Sequence, residues 1–153
     1  MTQEDKELLL KDLGARLSYG PIVSVTDGTI KYNAYIESIS YKNIQVSPVS
    51  DSNFTAYTFY KISEIKPYLR PMSSMTEKEF INLTTVTELQ YDQLELVEWD
   101  NNCKTLEFYL SEVPHYCVIK VFDWLNAHHF DYRGLIEKGL AIAVTKENNP
   151  YKS

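Results

Sequence analysis

The histidine pair His128-His129 closes an apolar run that begins at Pro114, and it carries the most versatile chemistry in the chain. Imidazole ligates metals and moves protons near neutral pH. Adjacent helical positions point about 100° apart, however, and two ligands for one metal need i, i+3 or i, i+4 spacing. Asp123 and Asp131 flank the pair, but Asp123 stands five residues before His128, which is poor helical geometry. The spacing favours packing for His129 and a helix C-terminal place for His128, where the dipole attracts a cation. Metal binding and hydrolytic acid–base work are the competing uses.

Tyr132-Arg133-Gly134 follows directly. Arg133 beside a glycine turn can grip a carboxylate or phosphate with both arms of its fork. It can equally cap helix carbonyls or pair with Glu137. Lys66, Tyr68 and Arg70, interleaved with Pro67 and Pro71, form a second basic-aromatic cluster with the same two readings. Cys117 lies on an apolar helix and reads as a small buried hydrophobe. Cys103 lies in the Asn101–Lys104 turn and reads as more exposed. A Cys–His nucleophile pair with His115 has no local oxyanion hole to serve it. The chain has no phosphate-binding glycine loop, no dinucleotide fingerprint, no zinc spacing and no nucleophile elbow. We therefore assign no catalytic residue, metal ligand or cofactor from the sequence. The candidate ligand-binding residues are Arg133, Tyr132, Lys66, Tyr68, Arg70 and His128.

The elements that must position these residues begin with a helix over 2–17. Thr2 is its N-cap, acidic residues fill its first turn, and Leu9, Leu10, Leu13 and Leu17 recur at helical spacing. Gly14 weakens its end and Tyr19-Gly20-Pro21 stops it. Residues 22–60 read as four short strands: Ile22–Val25, Ile30–Tyr41, Ile44–Val46 and Phe54–Tyr60. Turns fall at Thr26–Thr29 and Lys42-Asn43, and a loop at Asp51–Asn53. Residues 61–75 read as a hinge, with Ile62–Ile65 a turn of helix and two prolines forcing extended geometry before them. Thr76 and Glu79 form a capping box that starts a second helix. Strand character returns over Val86–Glu98, turns at Asp100–Asn102 and returns over Lys104–Leu110. The long helix over 115–129 has an apolar face of Val118, Val121, Phe122, Leu125 and His129, widened by Trp124. Gly134 and Gly139 bracket a short turn, and Leu140–Val144 reads as a last strand.

Twelve of 153 residues are tyrosine. Tyrosine suits half-buried sheet surfaces and is also enriched in recognition sites. The net charge of −6 argues against general nucleic-acid binding, which needs clustered cations. It leaves a small anionic ligand open, since a few local donors suffice. Two cysteines make no disulfide framework, and the polar Met-Thr-Gln-Glu-Asp start reads as no signal peptide. No apolar run approaches a membrane span. The expectation is a cytoplasmic protein with reduced thiols.

Three stretches resemble a family of small uncharacterised proteins of gut bacteria, their phages and integrated mobile elements. They are Leu8-Leu-Leu-Lys-Asp-Leu-Gly-Ala-Arg-Leu-Ser-Tyr-Gly20, Ser63-Glu-Ile-Lys-Pro-Tyr-Leu-Arg-Pro-Met-Ser-Ser-Met-Thr76 and Phe130-Asp-Tyr-Arg-Gly-Leu-Ile-Glu-Lys-Gly-Leu-Ala141. Gly14 stands where that family often has cysteine. The resemblance implies a phage or mobile-element setting and one architecture over the whole chain.

The expected fold is α+β. Residues 1–72 form a helix plus a small bent antiparallel sheet or SH3-like barrel. Residues 73–153 add a helix, a hairpin, the long helix and a tail packed on it, as a second part or as one continuous domain with the first. The expected function is non-enzymatic binding of a host or phage protein, or of a small anionic ligand such as a nucleotide-type signal in counter-defence. The alternatives are a small hydrolase using His128 and His129, and a structural or virion-associated homo-oligomer.

Overall fold

The computed structural model describes residues 1–26, 28–49, 58–89, 94–99, 103–108 and 113–152. In chain order the elements are α1 (Gln3–Arg16), β1 (Ile22–Thr26), β2 (Lys31–Ile39), β3 (Ile44–Pro48), β4 (Thr58–Tyr60), β5 (Ile65–Leu69), α2 (Glu77–Thr87), β6 (Leu94–Trp99), β7 (Cys103–Phe108), α3 (His115–Ala127) and β8 (Ile142–Ala143). They fall into two units, Met1–Leu69 with Arg133–Ser153, and Arg70–Tyr132. The fold is α+β.

The first unit is built on a six-stranded sheet in the order β4-β3-β2-β1-β5-β8. Every pairing is antiparallel except β5 with β8. The sheet is open, so the expectation is met in its bent-sheet form and not as a closed barrel. A bulge contributes to the bend: β2 pairs Ile36 with Val46 and then Ser38 with Gln45, leaving Glu37 as the extra residue. Alternation sends Val23, Val25, Ala34, Ile36, Val46 and Ile65 into one core. Leu9 and Leu13 of α1 enter the same core, as do Leu135 and Leu140 from the chain's end. Thr2 Oγ1 accepts the Asp5 N–H at 3.1 Å and Asp5 Oδ2 accepts the Thr2 N–H at 3.0 Å, which starts α1 as a capping box. Gly14 does not end α1, which runs on to Arg16. A 3-10 turn over Leu17–Tyr19 follows and closes at Gly20, whose φ of +63° suits glycine.

The expected hinge over 61–75 is in part a strand. A 3-10 turn over Ile62–Glu64 leads into β5, which pairs with β1. A proline inside a strand removes a ladder donor. Pro67 is tolerated because β1 flanks β5 over Ile65–Pro67 whereas β8 pairs only from Tyr68 onward, so Pro67 has one neighbour. Residues 133–153 join the first unit because β8 extends its sheet and Val144 N–H donates to Leu69 O at 2.8 Å.

Tyr151 ties the tail to that sheet. Its hydroxyl accepts the Ile22 N–H at 3.2 Å and donates to Tyr68 O at 2.9 Å. Burial pushes its phenol up to about 12 from an ordinary 10, against smaller lowering effects of the Ile22 N–H and the Arg16 charge. Tyr151→Phe strands both backbone groups and is expected to cost about 1–3 kcal/mol. A phenol raised in the folded state stabilises fully below pH 10 and loses that contribution as pH rises toward 12. Urea titrations at several alkaline pH values check both: the wild type should show the alkaline loss from this group, and Tyr151→Phe should lack it.

In the second unit α2 opens on the expected capping box, with Thr76 N–H donating to Glu79 Oε2 at 2.9 Å and Glu79 N–H to Thr76 Oγ1 at 3.3 Å. The helix continues to Thr87, so the strand expected from Val86 begins only at Leu94. β6 and β7 form an antiparallel pair from Leu94↔Phe108 to Trp99↔Cys103. Pro114 is the N-cap of α3. The buried face of α3 is Cys117, Val121, Trp124 and Leu125, a stripe at i, i+4, i+7, i+8. The expected face was rotated from this: Phe122 is exposed and Val118 only half-buried. Cys117 and Trp124 draw the stripe to their own side. Among the described residues no helix is long and apolar enough to cross a membrane. The expectations for Asp27, Asp51–Asn53, Phe54–Tyr57, Asp100–Asn102, Tyr109–Leu110 and the Cys103 side chain lie outside the described residues.

Candidate functional site

The six candidate residues divide between the units: Lys66, Tyr68 and Arg133 in the first, Arg70, His128 and Tyr132 in the second. The three in the second unit are engaged within it. Arg70 forks onto Glu79 at 2.7 and 3.1 Å and lies 4.1 Å above the Phe130 ring. His128 caps α3, with Nδ1 2.8 Å from Trp124 O and its ring stacked 3.8 Å from that indole. Tyr132 donates its hydroxyl to Asn126 Oδ1 at 3.0 Å and packs on Phe122. His129 is buried with φ +59°, which turns the chain out of the helix. Among the described residues no group of three His, Cys, Asp or Glu side chains is arranged to hold a metal.

The Arg70–Glu79 pair has a pH signature. Burial raises the Glu79 carboxyl, but the bonds from Arg70 and Thr76, with the Arg70 charge, outweigh it and hold the group at about 2 against an ordinary 4.5. A depressed folded value stabilises above pH 4.5 and loses that contribution as pH falls toward 2. The pair is half-buried and partly screened by solvent, so the expected loss over that window is about 1 kcal/mol. Acid titration of the second unit followed by tryptophan fluorescence should show it, and Glu79→Gln should abolish it.

In the first unit Arg133 does not pair with Glu137 or reach for solvent ligands. Its Nε lies 3.2 Å from Asp12 Oδ1, and Asp12 is fully buried. Asp12 also receives the Arg16 fork, Nε at 2.8 Å and Nη2 at 3.0 Å, and Arg16 is fully buried too. This cluster joins α1 to the returning chain, with Asp12 and Arg16 fully buried and Arg133 20% exposed.

Lys66 and Tyr68 are different. On β5 the core takes Ile65 and Leu69, so Lys66 and Tyr68 stand on the outer face of the sheet. The register puts Lys66 opposite Ser24 on β1, and Ser24 opposite Asn33 on β2. Lys31 lies on the same face two pairs further along the β1–β2 ladder, opposite Thr26. The Tyr68 side chain crosses β1 to donate its hydroxyl to Asn33 Oδ1 at 3.0 Å. Lys31 and Lys66 are exposed and make no ion pair among the described residues. Ser24 is 3% exposed and its Oγ has no hydrogen-bond partner among the described residues. Lys31 and Asn33, with Tyr32 and Val49, line an open cavity of about 440 Å³. That volume lies in the range of small-molecule sites. Tyr35, 41% exposed, stands on this face two residues past Asn33.

Lys66 and Tyr68 were legible as candidates; Ser24, Asn33, Lys31 and Tyr35 were not. The available signal was in β1, where Ser24 interrupts the apolar run Ile22-Val23-Ser24-Val25 at an outward position. Cross-strand register, which joins that serine to Lys66 and Asn33, is set by pairings between distant segments and has no local motif. No protein-family model, no curated protein and no solved structure matches this chain.

Proposed function

We propose that this chain is a non-enzymatic binding protein that captures a small anionic ligand on the outer face of its sheet. The observation that supports it is two lysines without ion pairs, among the described residues, on one face with Ser24 and Asn33, where Lys31 and Asn33 line an open 440 Å³ cavity. A net charge of −6 makes such a cationic patch a local feature and not a reflection of overall charge. The phage or mobile-element setting implied by the resemblance belongs to the same proposal, with sequestration of a signal as the corresponding role. The hydrolase alternative draws less support, because His128 is stacked and bonded at the end of α3 and His129 is buried.

Native mass spectrometry of protein purified from cells, then denaturation and identification of released molecules, tests the reading. An anionic molecule at one per chain is the expected result. An empty chain that also takes up no anion from a cell extract overturns it. A second reading, occupation of a protein partner, is favoured by the exposed Tyr116, Ile119 and Phe122 of α3. Loss of partner capture on Ile119→Asp, with α3 intact by circular dichroism, is its expected signature.

A further inference from the structure

We infer that the ligand is held through a phosphoryl group, gripped by Lys31, Lys66, Ser24 and Asn33; this rests on the binding function proposed above and names its ligand class. The register fixes the geometry. Lys66, Ser24 and Asn33 form one row across β5, β1 and β2, and Lys31 is the next outward position on β2. Neighbouring strands lie about 4.8 Å apart and same-face positions about 6.7 Å apart, so the four Cα atoms fall within about 12 Å. Lysine stems span that distance, and both ammonium groups can meet at one point above Ser24 and Asn33.

The donor set selects the anion. The row offers four donors: two ammonium groups, the buried Ser24 hydroxyl and the Asn33 amide, whose nitrogen makes no hydrogen bond among the described residues. A carboxylate offers two coplanar oxygens and is best met by an arginine fork. No arginine stands in this row. A phosphoryl group offers three oxygens in three directions, which suits separated point donors of the lysine kind. Ser24 is the second, independent pointer. A buried hydroxyl without a partner is destabilising by about 1–3 kcal/mol and is rare in folded proteins. A phosphoryl oxygen that accepts its proton removes that cost. Tyr68 reaches across β1 at this place and donates to Asn33 Oδ1, which leaves the Asn33 Nδ2 donors to a ligand oxygen; binding includes a swing of the Tyr68 side chain that opens Ser24 to the same group.

Isothermal titration and ¹⁵N-resolved NMR with inorganic phosphate, AMP and adenosine test this on the full chain. Phosphate and AMP should both bind and shift the amides of residues 24, 33 and 66, while adenosine should not. Binding of AMP about tenfold tighter than phosphate assigns the base to Tyr35 and the ligand to nucleotides; equal affinity assigns a phosphorylated molecule without a stacked base. Lys31→Ala with Lys66→Ala should weaken phosphate binding about 30-fold or more, and both sites are exposed, so the fold survives. Ser24→Ala should weaken binding about fivefold while leaving stability equal or higher, a pairing that a purely structural serine would not give. Unchanged affinity in the double lysine variant overturns the inference. So does adenosine binding as tightly as AMP, or no response to phosphate and AMP at about 10 mM. If phosphate and AMP fail while the purified protein still carries another anion, only the ligand class falls. If it carries and captures none, the binding function falls with it.

Discussion

Asp12→Ala is expected to lower the stability of the sheet unit by about 3–5 kcal/mol, the largest effect of any single charge removal in the chain. Asp12 and Arg16 are both fully buried, and Asp12 is the anion on which the Arg16 fork closes at 2.8 and 3.0 Å, with Arg133 Nε at 3.2 Å. Removing the carboxylate leaves a guanidinium in a medium that solvates it poorly. The cost is that of an uncompensated buried charge, not of one hydrogen bond. Asp12→Asn keeps the shape and removes the charge, so it should lose nearly as much. Arg133→Ala should lose less, because its side chain is 20% exposed and water takes over part of its role. Removing both charges together, Asp12→Leu with Arg16→Met, should recover most of the loss, since well-packed apolar pairs often replace buried ion pairs at little cost. Both tryptophans, Trp99 and Trp124, lie in the second unit, so far-ultraviolet circular dichroism or amide exchange of β1 must report this one. A loss under about 1 kcal/mol for Asp12→Ala would mean that water reaches the pair.

That cluster marks where reading the sequence stops short. Local signals were legible because they are local. The Thr76–Glu79 capping box, the leucine stripe of α1, the Cys117 burial and the final strand all follow from residues within a few positions of one another. Asp12 and Arg16 stand at i, i+4 on α1, a spacing that is ordinary on exposed faces and was not singled out in the sequence. Their burial depends on Arg133 and Tyr151 returning more than a hundred residues later. The same is true of the sheet face. Lys66 was noticed for its prolines and tyrosine, yet its partners come from β1 and β2, and the strand that carries it was taken for a hinge because of Pro67. Arg133 and Arg70 were chosen as ligand-grippers because a fork beside a turn suits an anion. Each found its anion inside the chain instead, in Asp12 and Glu79.

In the second unit the largest expected loss belongs to Phe130→Ala, about 3–5 kcal/mol. Phe130 is fully buried and its N–H closes the end of α3 on Leu125 O at 2.9 Å. Its ring lies nearly parallel to Trp124, centroids 5.9 Å apart, and Arg70 covers its other reach at 4.1 Å. The backbone repeats the link: Arg70 N–H donates to His129 O and Asp131 N–H to Arg70 O, each at 2.8 Å. Truncation therefore opens a cavity under Trp124 and removes the aromatic face that orients the Arg70 fork toward Glu79. Phe130→Leu keeps most of the volume and should lose about half as much. Trp124 sits against the site, so its fluorescence should follow urea unfolding of this unit directly. Combining Phe130→Ala with Glu79→Gln should cost less than the sum of the two, because both act through Arg70. Strict additivity would show that Arg70 holds Glu79 without help from the ring.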